Sequence, residues 1–117
     1  MTNENIRIYH NPRCSKSRSA LAILEEKGIA PEVIDYLKVP PSKIELRNIL
    51  KKLDMKPEEI VRKSEDVYKN LFQGKVLSDD EWLDALVENP ILIERPIVQV
   101  AERAVIGRPP ERVLELL

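Results

Sequence analysis

Between Ile6 and Leu37 the chain reads as strand, helix and strand with short joins, and this order narrows the possible folds more than any other feature. Ile6-Arg7-Ile8-Tyr9 is short and enriched in strand formers, which predicts a buried first strand. Ala20, Leu21, Ile23 and Leu24 then recur at helical spacing, and Gly28 supplies a C-terminal stop. Pro31-Glu32-Val33-Ile34-Asp35-Tyr36-Leu37 returns to a strand pattern. Such a unit is normally parallel and right-handed. With 117 residues, 43% of them hydrophobic, the chain can close a core around it as one domain.

Pro40-Pro41 breaks the pattern. Ser42 with Glu45 is a capping-box signature, and Leu46, Ile49, Leu50 and Leu53 predict a helix to about Leu53. Pro57-Glu58-Glu59 suits the first turn of a short helix. Val67, Tyr68, Leu71 and Phe72 mark a further helical face that ends near Gly74. Ser78 and Glu81 repeat the capping box ahead of Trp82, Leu83, Leu86 and Val87, and Pro90 closes that helix. These apolar stripes and Trp82 read as core. Beyond Pro90, Pro96–Ala101 and Ala104–Ile106 flank a tight Glu102-Arg103 turn and predict an antiparallel hairpin. Pro109-Pro110-Glu111 then opens a terminal helix carrying Val113, Leu114, Leu116 and Leu117. The expected organisation is one α/β domain over 1–117: β-α-β over 5–38, a helical insertion over 41–89 without strands, and β-β-α over 91–117, giving a mixed sheet.

The only cysteine and the only histidine fall at the first strand-to-helix turn, in His10-Asn11-Pro12-Arg13-Cys14-Ser15-Lys16-Ser17-Arg18. A cysteine there faces free backbone N–H groups and the positive end of the helix dipole, and both favour thiolate. Arg13, Lys16 and Arg18 add positive charge, and the same surroundings attract an oxyanion. Free cysteines are often buried and inert, but the flanks of Cys14 are polar or charged where core neighbours would be apolar. His10 fits two roles equally, a cation beside the thiolate or a structural hydrogen-bonding residue. His10 and Cys14 make no metal-ligand cluster. A single cysteine leaves no resolving thiol in the chain, so a redox cycle through Cys14 needs one from another molecule. Arg62, Arg95 and Arg108 lie at element ends, where binding groups collect, and guanidinium groups suit tetrahedral oxyanions. Taken singly, each reads as a surface arginine.

A formal net charge of -1 gives no global reason to expect nucleic acid or an anionic membrane as partner. Met1-Thr2-Asn3-Glu4-Asn5 shows no basic region followed by an apolar run, and no apolar stretch approaches the roughly 20 residues of a membrane helix. With no disulfide framework, the expected setting is soluble, reducing and cytoplasmic.

The run from His10 to Arg18 resembles the active-site turn of the glutaredoxin-dependent arsenate reductases. The likeness continues through Tyr36-Leu37, Pro40-Pro41, Arg62-Lys63, the run from Asn89 to Val98 and Gly107-Arg108-Pro109-Pro110-Glu111 with Val113-Leu114, in order along nearly the whole chain. The resemblance implies a thioredoxin-like (glutaredoxin-like) fold with a helical insertion, and a cis peptide bond before Pro96. It implies that Cys14 is the nucleophile, that Arg62, Arg95 and Arg108 hold the oxyanion, that His10 helps keep the cysteine pKa low, and that the Ser17 hydroxyl bonds the thiolate. It also implies no bound cofactor, arsenate or a similar oxyanion as substrate, and glutathione with glutaredoxin as external reductant. Arg13, Ser15 and Lys16 stand where those reductases usually carry smaller or uncharged residues, which marks an arsenate-reductase-like subgroup. Two other readings follow from the same fold. One is a redox-linked regulator that binds RNA polymerase, although Ser17 stands where such proteins carry a second cysteine. The other is a general glutaredoxin-like thiol carrier.

Overall fold

The computed structural model describes residues 6–117; the reading of Met1 to Asn5 lies outside the described residues. The described residues group into two compact units, one from the N-terminal part up to Val39 together with Arg95–Leu117, the other Pro40–Glu94.

The first unit is built on a four-stranded mixed sheet in the order β2-β1-β3-β4. Strand β1 (Arg7–His10) pairs parallel with β2 (Glu32–Asp35), and helix α1 (Ser15–Glu26) connects them. On its other side β1 pairs antiparallel with β3 (Ile97–Gln99), which pairs antiparallel with β4 (Ala104–Ile106). Central position buries β1: Ile8 is fully buried and Tyr9 nearly so. Leu24 and Ala20 of α1 pack on Ile8, Val98 and Val105 to form the core. Gly28 stops α1 as expected, with φ at +77°. Its N–H reaches the Glu25 carbonyl and that of Ile29 the Leu24 carbonyl, a Schellman arrangement that satisfies the last turn. The sheet and its helix form the thioredoxin-like α/β fold.

The structure differs from the sequence reading at several element ends and in one helix type; β3, for instance, covers Ile97–Gln99 rather than Pro96–Ala101. The second strand was expected to run to Leu37 but ends at Asp35. Asp35 turns the chain there: its carboxylate accepts the Leu37 N–H at 3.2 Å, and its carbonyl accepts those of Lys38 and Val39. The last segment, Pro110–Leu116, is a 3-10 helix rather than an α-helix. Its buried residues are Pro110, Val113 and Leu116, spaced by three, and three residues per turn put them on one face. Leu114 and Leu117, which the same segment carries, remain about 40% exposed.

The second unit is mostly helical. It comprises α2 (Lys43–Leu53), a 3-10 turn at Pro57–Ile60, α3 (Asp66–Leu71), α4 (Asp79–Glu88) and a 3-10 turn at Pro90–Leu92. Ser78 and Glu81 form the full capping box of α4. At α2 only half of the expected box forms, with Ser42 accepting the Glu45 N–H at 3.1 Å. Trp82 is buried, stacked with Tyr68 at 6.4 Å and tilted against Phe72 at 5.7 Å, as a core aromatic. The expected absence of strands holds except for one isolated antiparallel bridge, Val61 to Ile93. Flanking bonds from Arg62 N–H to the Leu92 carbonyl and from Glu94 N–H to the Ile60 carbonyl extend it.

Candidate active site

Strand β1 delivers His10 to the edge of a tight turn, and Asn11 shapes that turn. Asn11 is buried; its carbonyl accepts the Cys14 N–H at 3.0 Å and its Oδ1 accepts the Arg13 N–H at 3.0 Å. Its own N–H donates to Ser17 Oγ at 3.1 Å. Arg18 closes the turn from outside, donating to the Pro12 carbonyl at 2.9 Å. Three bonds through one side chain and its backbone thus fix where Cys14 enters the helix. The sequence reading assigned Asn11 no role, because its bonds are local and leave no periodic trace.

Cys14 is the N-cap residue of α1 and is partly exposed. Its side chain makes no capping hydrogen bond of ordinary geometry, but its sulfur faces the N–H groups of Ser17 and Lys16. Burial alone would push the thiol pKa up. The Ser17 N–H, a hydrogen bond from the Arg95 side chain, the Lys16 N–H and the Arg95 charge outweigh burial and hold it below its ordinary value. Arg95 immediately precedes the cis Arg95–Pro96 bond at the start of β3. Arg108 follows β4 and also precedes a cis proline. Its Nη1 lies 3.9 Å from the Cys14 sulfur and donates to the Arg95 carbonyl at 3.4 Å. Two arginines far from Cys14 in sequence therefore converge on its sulfur.

Gly107 makes that convergence possible. Its N–H donates to the Pro96 carbonyl at 2.8 Å. A Cβ at this position would stand 3.0 Å from Pro96 Cγ, 3.2 Å from Val113 Cγ1 and 3.4 Å from Ala20 Cβ. The two arginine-bearing segments approach closely here, and a side chain at Gly107 would have to displace its neighbours by a few tenths of an ångström.

Ser17 contributes differently from the expectation. Its hydroxyl is fully buried and lies 2.7 Å from His10 Nδ1 while accepting the Asn11 N–H, so it is committed away from the sulfur. Ser17 meets Cys14 through its backbone N–H instead. His10 is 7% exposed, and burial pushes its pKa below the ordinary value. Asp35, its register partner on β2, draws it back up in part, and Arg18 lowers it further. A lowered pKa favours the neutral imidazole, whose Nδ1 shares a hydrogen bond with the Ser17 hydroxyl. The structure places His10 in a buried hydrogen bond with Ser17.

Arg62 belongs to the second unit. Its guanidinium donates to Glu94 at 2.8 Å and to Glu65 at 3.3 Å. Burial acts to lower its pKa, but the two carboxylates prevail and raise it. Among the described residues, no group of three or more His, Cys, Asp or Glu side chains is placed to hold a metal ion. No helix among them is long and apolar enough to cross a membrane.

The chain matches the ArsC family over residues 9–116. It belongs to that family. A protein named arsenate reductase from Haemophilus influenzae is 48% identical over 112 residues, covering 94% of this chain and 97% of the relative. The uncharacterized protein YfgD of Escherichia coli K12 is also 48% identical, over 116 residues, with 97% and 98% covered. Among solved structures, an arsenate reductase from Vibrio cholerae superposes with a TM-score of 0.92 at 50% identity, covering 96% of this chain and 97% of the other. The ArsC membership agrees with the resemblance carried by the turn around Cys14.

Proposed function

We propose that this ArsC-family protein reduces arsenate, or a closely similar tetrahedral oxyanion, with electrons from external thiols. The observation that carries the reading is the surroundings of the Cys14 sulfur. Helix N–H groups, Arg95 and Arg108 gather there and favour a thiolate, and the same donors suit the oxygens of a tetrahedral anion. Relatives bearing the name arsenate reductase support arsenate as that anion.

The Cys14 thiolate attacks arsenic(V), forming a sulfur–arsenic bond, and one arsenic oxygen leaves as water after taking protons. A glutathione sulfur replaces a second oxygen, which also leaves as water. A further thiol, from glutaredoxin or a second glutathione, attacks the glutathione sulfur. Its bond to arsenic breaks, the electron pair stays on arsenic, and a disulfide forms. Arsenic is thereby reduced to arsenic(III) as two thiols are oxidised. Water displaces Cys14, releasing arsenite and regenerating the thiolate. Fixed guanidinium charges act where negative charge is spread over the oxygens. The lone cysteine accords with an external thiol.

The test is arsenate-dependent NADPH oxidation coupled through glutathione reductase, glutathione and glutaredoxin. Wild type is expected to turn over and Cys14→Ser to be inactive. No turnover with a reactive Cys14 would overturn arsenate as substrate, and turnover without glutaredoxin would remove glutaredoxin from the scheme.

A further inference from the structure

The Cys14 turn borders a groove of about 290 Å³ that the chemistry above leaves unused. Asn11, Pro12 and Arg13 form one wall; Asp35, Leu37 and Lys38, at the end of β2, form the other. Both walls belong to the first unit. We propose that this groove binds a carboxylate-bearing arm of the small anionic thiol that reacts at Cys14, with Arg13 and Lys38 as the binding cations. The proposal rests on the thiol-dependent reading of Cys14.

Charge decides the class of ligand. Arg13 and Lys38 are exposed, and neither side chain is in an ion pair among the described residues. Arg18, by contrast, is engaged, donating to the Pro12 carbonyl. The single carboxylate in the lining, Asp35, accepts the Leu37 N–H and faces His10 electrostatically. The groove therefore offers two cations against one carboxylate, a net positive lining.

Position decides the reaction it serves. One wall is the tripeptide that directly precedes Cys14, so Arg13 Cα is about 3.8 Å from Cys14 Cα. A thiol held by a terminal carboxylate here has its sulfur within the reach of one short peptide from Cys14. Arg95 and Arg108 already face the sulfur, so the carboxylates of an incoming thiol need cations of their own. The small volume fits an arm of a small molecule rather than the face of a protein.

The test compares rates of mixed-disulfide formation at Cys14 with glutathione disulfide, which is anionic, and with 2-hydroxyethyl disulfide, which is neutral. The ratio of the two rates cancels any change in thiolate fraction. Wild type, Arg13→Gln, Lys38→Gln and the double variant are compared with Lys16→Gln, which removes an exposed charge beside Cys14 but outside the groove. The ratio is expected to fall about twofold in each groove variant and about fivefold in the double variant, as for exposed charge pairs, with a smaller change in Lys16→Gln. An unchanged ratio in the double variant, or an equal fall in Lys16→Gln, overturns the proposal. Arsenate turnover is scored separately. A lowered ratio in a protein without turnover keeps the groove and removes the oxyanion; turnover with an unchanged ratio does the reverse.

Discussion

The His10 imidazole Nδ1 lies 2.7 Å from the Ser17 hydroxyl, so the side chain and the backbone of Ser17 serve different neighbours. The hydroxyl ties His10 to the Asn11 N–H inside the protein, and the backbone N–H faces the sulfur. Ser17→Ala removes only the first. It leaves two buried polar groups without their partner, a loss of about 1–3 kcal/mol. Denaturant unfolding should show that loss, while the pH dependence of Cys14 alkylation should still report a lowered pKa. A return of the thiol to its ordinary pKa would assign thiolate stabilisation to the hydroxyl after all.

His10 is the only histidine, so its imidazole resonances report one site. Burial holds its pKa below the ordinary value of about 6.5, and NMR titration should find the midpoint there. Between the ordinary value and the lowered folded value, the unfolded chain binds the proton and the folded chain does not. The contribution is present above about pH 6.5 and is lost as pH falls through the folded pKa. Subtracting the stability profile of His10→Gln from that of wild type should leave this slope, and a midpoint above 6.5 would contradict a neutral buried ring.

Arg95 acts on the thiolate and, in the proposed reaction, on the oxyanion, and one variant separates the two. Arg95→Ala removes a hydrogen bond and a charge that favour the thiolate, so the Cys14 pKa should rise. Once corrected for thiolate fraction, exchange with a neutral disulfide should be nearly unchanged. Arsenate turnover should fall further, by about a hundredfold, the scale for losing one fixed donor to a developing charge. Equal losses in both assays would favour a general thiol carrier.

How far the sequence foretold this depends on the range of each interaction. Strand β1, helix α1 and the hairpin were legible because apolar spacing and Gly28 are local signals with one physical meaning. The position of Cys14 at the helix start was legible for the same reason. The 3-10 geometry of Pro110–Leu116 was not: Val113 and Leu116 fit either period, and only packing against the core decides. Arg95 and Arg108 stood at element ends in the sequence, but nothing local in it brings either to Cys14. Family resemblance suggested their association, and the pairing of β3 with both β1 and β4 brings about the approach. The commitment of the Ser17 hydroxyl to His10 was hidden too, since it depends on how deeply both are buried.

Gly107 gives the sharpest test of that approach. Its backbone needs no positive φ, so Gly107→Ala adds one methyl and no backbone strain. The methyl would meet Pro96 at 3.0 Å and Val113 at 3.2 Å, both in the interior. Overpacking of this kind costs about 1–3 kcal/mol, and denaturant unfolding should show it. Relief by a shift of Pro96 would move the segment that carries Arg95 and weaken its hold on the Cys14 sulfur. Alkylation should therefore report a thiol pKa shifted up toward its ordinary value. Val113→Ala makes room for the methyl, so the double variant should lose less stability than the two single losses added together. It should also recover part of the lowered pKa. Strict additivity in stability, or a thiol unaffected by Gly107→Ala, would show that the site does not depend on this contact.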